Sequence, residues 1–321
     1  MQYRTLGATG IRVSEIGFGA WGIGGDANGS VAYGPTRDDE SRLALRRAFD
    51  AGVTFFDTSD LYGLGHSEEL VGTALEDVRD RVVIATKVGM LDAQGNQDFS
   101  PDHIRRALER SLSRLRTDYV DLYQLHSPSI AQLERDDRIL ACMADLRREG
   151  KVRALGISVR SPDEGLAAVE RLGAECLQVN FNLLDQRAVD NGLFDLCEAR
   201  GVGVIVRTPL CFGFLTGRYA ADDTFAETDH RKRWDAVQRE KWAGAHPLFE
   251  SVLSRAAVQS PAQMALRFCL SFPVSTAIPG MLTAAHVTEN VGASDLGPLT
   301  ESERTAIRAV YRDHEFFVPS R

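Results

Sequence analysis

Residues 12–30 read RVSEIGFGAWGIGGDANGS, and within them Gly17-Phe18-Gly19-Ala20-Trp21-Gly22 matches G-x-G-x-x-G behind an apolar run. The pattern marks a dinucleotide-binding domain when a helix begins at its last glycine and receives a pyrophosphate on its N-terminus. Here Gly22 runs into IGGDANGSVAYGPT, which cannot start a helix. An acidic residue ending a second strand about 20 residues further on is also missing. The stretch therefore reads as the first strand of a different α/β fold, with glycines that let other groups approach its C-terminal end.

Outward from that strand, short apolar runs alternate with helical patterns. DDESRLALRRAFDAG has Leu43, Leu45, Ala48 and Phe49 near helical spacing and Gly52 as its stop. VTFFDTS is a strand, SEELVGTALED a helix with Ser67 as N-cap, and RVVIATK (81–87) a strand. SPDHIRRALERSLSRL (100–115) is a helix with Ser100 as cap and Pro101 at its first position. YVDLYQLH, VRALGIS, CLQVNFN, VGVIVRTP and VSTAIPG are further strands. The helices between and after them are LACMADLRREGKV, SPDEGLAAVERLG (capped by Ser161), LFDLCEARG, SPAQMALRFCLS (260–271) and AAHVTENVGA.

The sum is eight strands, each with a following helix. The strands are apolar throughout, as in a sheet covered on both faces, and eight such units close into a (β/α)8 TIM barrel. LGATGIRV predicts an N-terminal β-hairpin ahead of the barrel. Residues 213–256 form a long, partly helical insertion after strand seven, and TESERTAIRAVYRDHEFFVPSR is an extra C-terminal helix plus tail. No linker divides the chain, so one domain spans 1–321.

The chain carries 37 basic and 45 acidic residues, a formal net charge of −8, and is 44% apolar. That sign disfavours nucleic acid and anionic membrane surfaces as partners. The basic run HRKRWDAVQREKW (230–242) is broken by Asp235 and Glu240 and reads as a solvated helix face. No apolar run approaches the roughly 20 residues that span a bilayer, and the N-terminus lacks the apolar segment of a signal peptide. Cys142, Cys176, Cys197, Cys211 and Cys269 are scattered and form no C-x-x-C pair. Free thiols suit a reducing, cytoplasmic location. The histidines show no metal-ligand spacing, which argues against a metal-dependent barrel hydrolase and predicts no metal site.

Polar residues gather at the C-terminal ends of the strands, where barrels of this kind carry their function. Strand two ends in Asp57 with Tyr62 five residues on, strand three in Lys87, strand four in His126 and strand five in Ser158. Strand six carries Gln178 and strand seven ends in Arg207. Asp57 and Lys87 follow apolar runs and should be partly buried, where an unpaired charge is costly, so they should pair. The ammonium should lower the pKa of Tyr62, and His126 can donate a hydrogen bond to a carbonyl oxygen. Such a set suits carbonyl reduction and needs a cofactor for the hydride.

FFDTSDLYG, VVIATKVG, DYVDLYQLHSP, GKVRALGIS, LQVNFNLL, PLCFGFLTGRY and IPGMLTAAHVTENV together resemble the aldo-keto reductases over nearly the whole chain. The resemblance implies reduction of an aldehyde or ketone to an alcohol, or the reverse. It assigns Tyr62 as general acid, Asp57 and Lys87 as its tuning pair, and His126 as the group positioning the carbonyl. It implies an extended nicotinamide cofactor, with Gly19, Ala20, Trp21 and Asp57 beside its nicotinamide end and Ser158 and Gln178 on the carboxamide. Arg207 stands where many relatives stack an aromatic residue on the nicotinamide. Further cofactor contacts are implied at Pro209, Leu210, Gly213, Gly280, Leu282 and His286, with Arg218 at the pyrophosphate and Glu289 and Asn290 at the adenine.

Two departures bear on the cofactor. Val159 replaces the usual Asn after the serine of GIS, and Met281, Leu282, Thr283 and His286 stand where relatives that prefer NADP carry Arg or Lys. The resemblance favours NADP(H), while these residues leave NAD(H) open. Trp21, Tyr33, Met90, Leu91 and the tail residues Phe316 and Phe317 are the expected walls of the pocket for a carbonyl or sugar-like small molecule. A regulatory nicotinamide-binding subunit and an NAD-dependent sugar dehydrogenase are the alternative readings, and the chain is expected as a monomer or small homo-oligomer.

Overall fold

The computed structural model describes residues 1–253 and 259–318. A hairpin comes first, with β1 (Tyr3–Thr5) antiparallel to β2 (Arg12–Ser14). Eight parallel strands follow: β3 (Phe18–Gly19), β4 (Phe55–Asp57), β5 (Val83–Val88), β6 (Val120–His126), β7 (Val152–Ser158), β8 (Cys176–Asn180), β9 (Gly203–Arg207) and β10 (Thr276–Ala277). Each pairs with the next in sequence. Parallel bridges Ile16↔Ala277 and Gly19↔Gly280 join the first strand to the last, so the sheet closes into the expected barrel.

The glycines of the opening motif make that closure. Gly17 N–H donates to the Ala277 carbonyl at 2.8 Å and Gly19 N–H to the Pro279 carbonyl at 3.0 Å. A Cβ on Gly19 would lie 2.6 Å from the Ile278 carbonyl oxygen, closer than any side chain tolerates. After Trp21 the chain makes two 3-10 turns, Gly22–Gly24 and Ala27–Gly29, and no long helix.

Helices surround the strands as the periodicity predicts. Ser100, Ser161 and Ser260 each accept a backbone N–H three residues on, with proline at the first helical turn. Two local readings are corrected. Ser67 lies inside the helix His66–Leu75 rather than capping it; its hydroxyl donates to the Ala20 carbonyl at 2.8 Å and lies 2.9 Å from Thr58 Oγ1, tying β3 to β4. Leu43 is 60% exposed, because Ala44, Leu45 and Ala48 already fill the buried face of the helix Asp38–Asp50.

The insertion after β9 is built from the short helical pieces Cys211–Thr216, His230–Arg233, Ala236–Ala243 and His246–Glu250; its expected last residues, 254–256, lie outside the described residues. Its basic run is a solvated face only in part: Lys232 and Arg233 are exposed as expected, but one charge turns inward. Arg231 is buried, its guanidinium over the rings of Tyr33, Tyr219 and Phe225 and bonded to Asp229. Among the described residues no helix is long and apolar enough to cross a membrane.

The two ends of the barrel differ in kind. At the N-terminal end, Leu6, Ile11 and Val13 of the hairpin pack on Phe55, Val83, Leu122, Ala154 and Ile205 and plug the interior. The C-terminal end stays open and polar. Leu6 is fully buried in that plug, so Leu6→Ala should lower unfolding free energy by about 2–5 kcal/mol. Urea denaturation checks this, and a loss below about 1 kcal/mol would show that the hairpin is dispensable to the barrel.

Candidate active site

Strand register sets the polar end of the barrel. Lys87 stands opposite Gln124, His126 opposite Ser158, and Ser158 opposite Gln178. Lys87 is fully buried. Its Nζ donates to Asp57 Oδ2 at 2.5 Å, to the Thr58 carbonyl at 2.9 Å and to Tyr62 Oη at 3.1 Å. These use all three donors of the ammonium. The other Asp57 oxygen accepts from Gln124 Nε2 at 3.1 Å and Gln178 Nε2 at 2.8 Å. Two amides and one ammonium therefore satisfy a carboxylate that could not otherwise sit inside the barrel.

Tyr62 opens the turn after β4, and its ring meets that of His126 edge-on, with centroids 6.0 Å apart. Because Tyr62 Oη accepts from Lys87, its own hydrogen is left for a group in the cleft. Burial raises the pKa of Tyr62 by more than Lys87 lowers it, so the net shift is upward and the expected lowering is overturned. The side chain is a protonated phenol at neutral pH. Burial, reinforced by the charges of Lys87 and Arg207, holds His126 well below the ordinary histidine value, so it is a neutral imidazole. Its Nδ1 lies 3.2 Å from Ser59 Oγ. Burial would also lower the pKa of Lys87, but Asp57 and Tyr62 beside it outweigh that and hold it above the usual lysine value.

These groups face a cleft of about 780 Å³ over the strand ends. Asp57, Tyr62, His126, Gly19, Trp21, Ser158 and Gln178 line it, as do Arg207, Pro209, Leu210 and Gly213. So do Tyr33, Met90, Arg218, Gly280, Leu282, His286, Glu289 and Asn290. Lys87 and Ala20 are buried behind the wall; the Ala20 N–H is spent on the Asp57 carbonyl. The tail is corrected: Phe316 packs on Phe249 and Tyr311 and Phe317 on Trp242, outside the cleft, because Gln238 of the insertion binds the tail backbone on both sides of Phe317. Leu91 is exposed and also outside the lining.

Comparison with known proteins agrees with this geometry. The profile described as the Aldo/keto reductase family matches residues 15–312. The chain belongs to the aldo/keto reductase family. It is 35% identical over 252 residues to the aldo-keto reductase YhdN of Bacillus subtilis, covering 75% of this chain and 72% of that one. Among solved structures it is similar to the holo form of aldo-keto reductase AKR11C1 from Bacillus halodurans, at TM-score 0.78 and 30% identity over 97% of this chain and 96% of the other. It is also similar to the glycerol dehydrogenase AKR11B4 from Gluconobacter oxydans, at TM-score 0.78 and 28% identity over 99% and 97%. The protein is an oxidoreductase of a family that uses nicotinamide cofactors.

Sequence reasoning missed part of the site. Gln124 was legible: it is a polar residue in an apolar strand two positions before His126, hence on the same face. Phe212, His230 and the Asp229–Arg231 pair carried no such signal, since a contact between an insertion and the first loop has no periodicity. Among the described residues no cluster of three or more His, Cys, Asp and Glu is placed to hold a metal.

The pairing of Lys87 with Asp57 has a measurable consequence. Lys87→Met leaves a buried carboxylate without its cation and should cost about 3–5 kcal/mol in urea unfolding. Adding Asp57→Asn should recover part of that loss, and a double variant no more stable than the single one would refute the buried pair.

Proposed function

We propose that this aldo/keto reductase reduces an aldehyde or ketone to an alcohol, and catalyses the reverse, with Tyr62 as the proton donor. The observation that carries the reading is the Lys87 Nζ–Tyr62 Oη hydrogen bond of 3.1 Å, which leaves the phenolic hydrogen for the cleft beside His126. His126 donates a hydrogen bond to the carbonyl oxygen and orients it. Tyr62 passes its proton to that oxygen as negative charge develops there. The phenolate left behind accepts the Lys87 hydrogen bond already in place, and Asp57 holds the ammonium. In the reverse direction the phenolate takes the proton back from the alcohol.

The cleft fits a nicotinamide dinucleotide. Gln178 spends its NH2 group on Asp57, so its carbonyl oxygen remains to accept from a carboxamide, with Ser158 next to it. Arg207 makes one hydrogen bond, to the Val159 carbonyl at 3.2 Å, and keeps donors and a planar face for the cleft. Gly213, Arg218, Gly280, Glu289 and Asn290 line the rest. When bound, the dihydronicotinamide supplies the hydride.

Little here rewards a 2′-phosphate. Arg218 is paired with Glu289 at 2.6 Å. His286 is neutral, lowered by burial and by Arg218, and its Nδ1 accepts the Leu282 N–H. Among the described residues next to Leu282 and His286, Arg218 is the arginine at hand, and its fork is already engaged by Glu289 rather than free for a dianion. The chain keeps the family's NADP(H) use with only a narrow preference over NAD(H).

Two measurements test this reading. Tyr62→Phe should lower carbonyl reduction about 10²–10⁴-fold while leaving affinity for reduced cofactor within about twofold; retained turnover would remove Tyr62 from its role. Fluorescence titration should find NADPH bound no more than about tenfold more tightly than NADH, and a preference of a thousandfold or so would reveal a phosphate clamp.

A further inference from the structure

We propose that His230 is the group through which this cleft recognises a substrate hydroxyl, so that its substrates are hydroxylated carbonyl compounds and the matching polyols. The inference rests on the carbonyl-reduction reading and adds to it a substrate class and a specificity-determining residue.

His230 reaches the cleft from outside the barrel. It opens the short turn His230–Arg233 in the insertion after β9, and that turn is held on every side. The His230 N–H donates to the Ala32 carbonyl at 2.7 Å, and the Ala32 N–H donates to the Thr228 carbonyl at 3.2 Å. Asp229 accepts from the Arg231 backbone at 2.9 Å and from its guanidinium at 3.0 and 2.6 Å. The Arg231 guanidinium lies over Tyr33 at 4.9 Å and Tyr219 at 4.4 Å. Such anchoring fixes the backbone and leaves the imidazole little freedom.

The ring projects into a box of aromatic side chains. It meets Trp21 and Trp234 edge-on at 4.8 Å each and tilts on Phe212 at 5.3 Å. Its nitrogens have no hydrogen-bond partner among the described residues, yet the residue lines the cleft. His230 is half-buried and neither ring nitrogen is sealed from solvent, so the aromatic contacts hold the ring while its nitrogens stay open to the cleft. They are therefore available to a ligand there. Trp21 carries this wall to the strand end that holds Asp57, since the Ala20 N–H is bonded to the Asp57 carbonyl at 2.9 Å.

Charge decides what the ligand is. Burial, with Arg233 nearby, pushes the His230 pKa down to about 3. The ring stays neutral at physiological pH and presents one N–H donor and one bare nitrogen acceptor. A protonated imidazole would call for an anion. A neutral one matches a hydroxyl, which both donates and accepts. The flanking indole and phenyl faces suit the C–H surface of a short carbon chain.

The test compares two three-carbon aldehydes that differ only in hydroxyl groups, glyceraldehyde and propanal, by kcat/KM with reduced cofactor. The wild type should prefer glyceraldehyde. His230→Phe and His230→Met remove the nitrogens and keep apolar bulk; each should lower the glyceraldehyde-to-propanal ratio about 10–100-fold, mainly through the KM of glyceraldehyde. His230→Gln keeps a donor and an acceptor and should retain much of the preference. Circular dichroism confirms that each variant is folded. A wild type with no preference, or either folded apolar variant keeping the wild-type ratio, overturns the role of His230. A wild type that binds cofactor but reduces neither aldehyde overturns the carbonyl-reduction reading instead.

Discussion

A lysine ammonium with no exposed surface persists only where every N–H it carries ends on oxygen. Lys87 meets that demand with one carboxylate, one backbone carbonyl and one phenol. Much of the site follows from it. The carboxylate of Asp57 has a second oxygen, which must also be satisfied, and Gln124 of β6 and Gln178 of β8 supply the donors. Lys87 itself comes from β5 and Asp57 from β4. Four strands are thus committed to one charge pair, and a register slip in any of them would break it.

The same constraint explains why the barrel is polar at one end only. A buried ion pair is weak as a source of stability, because its desolvation offsets much of its attraction. The apolar plug at the other end, where Leu6, Ile11 and Val13 meet the strand starts, supplies the stability that the polar end lacks. The polar end in turn keeps its proton inventory fixed. Burial keeps Tyr62 protonated against the pull of Lys87, and burial together with the charges of Lys87 and Arg207 keeps His126 neutral. The Lys87 hydrogen bond makes the phenol an acceptor on one side and so a donor on the other.

What could be read from the chain, and what could not, divides along the range of the interactions. Helix caps and strand ends are local: Ser100-Pro101, Ser161-Pro162 and the run YVDLYQLH announce themselves within a few residues. The pairing of Asp57 with Lys87 follows from burial of charge. The sign of the Tyr62 shift was lost because it is a difference between two large opposing effects, desolvation and the lysine field, and only their geometry decides which wins. In the run HRKRWDAVQREKW the solvated reading fails at Arg231, because composition shows its charge and not Asp229, which draws it inward against three aromatic rings. Phe316 and Phe317 were placed in the cleft by their character alone, while Gln238 holds that stretch of chain elsewhere.

The G-x-G-x-x-G match of residues 17–22 shows how one local need can arise for two reasons. In a phosphate loop, glycine lets backbone approach a pyrophosphate. Here Gly19 lets backbone approach backbone at the seam where the last strand meets the first, and Gly17 leaves room for the side chains of Phe55, Thr276 and Ile278. The sequence pattern records only that a side chain is forbidden, not what stands in its place. Context separates the two cases: a helix must follow a phosphate loop, whereas a seam needs only a partner strand. The seam also has a consequence for the site. By bringing Gly280 beside Gly19, it joins the loop that carries Leu282, and the helix Ala284–Leu296 that carries His286, to the strand that leads into Trp21. The two sides of the cleft are thereby brought onto one rim by a pair of glycines that themselves line it.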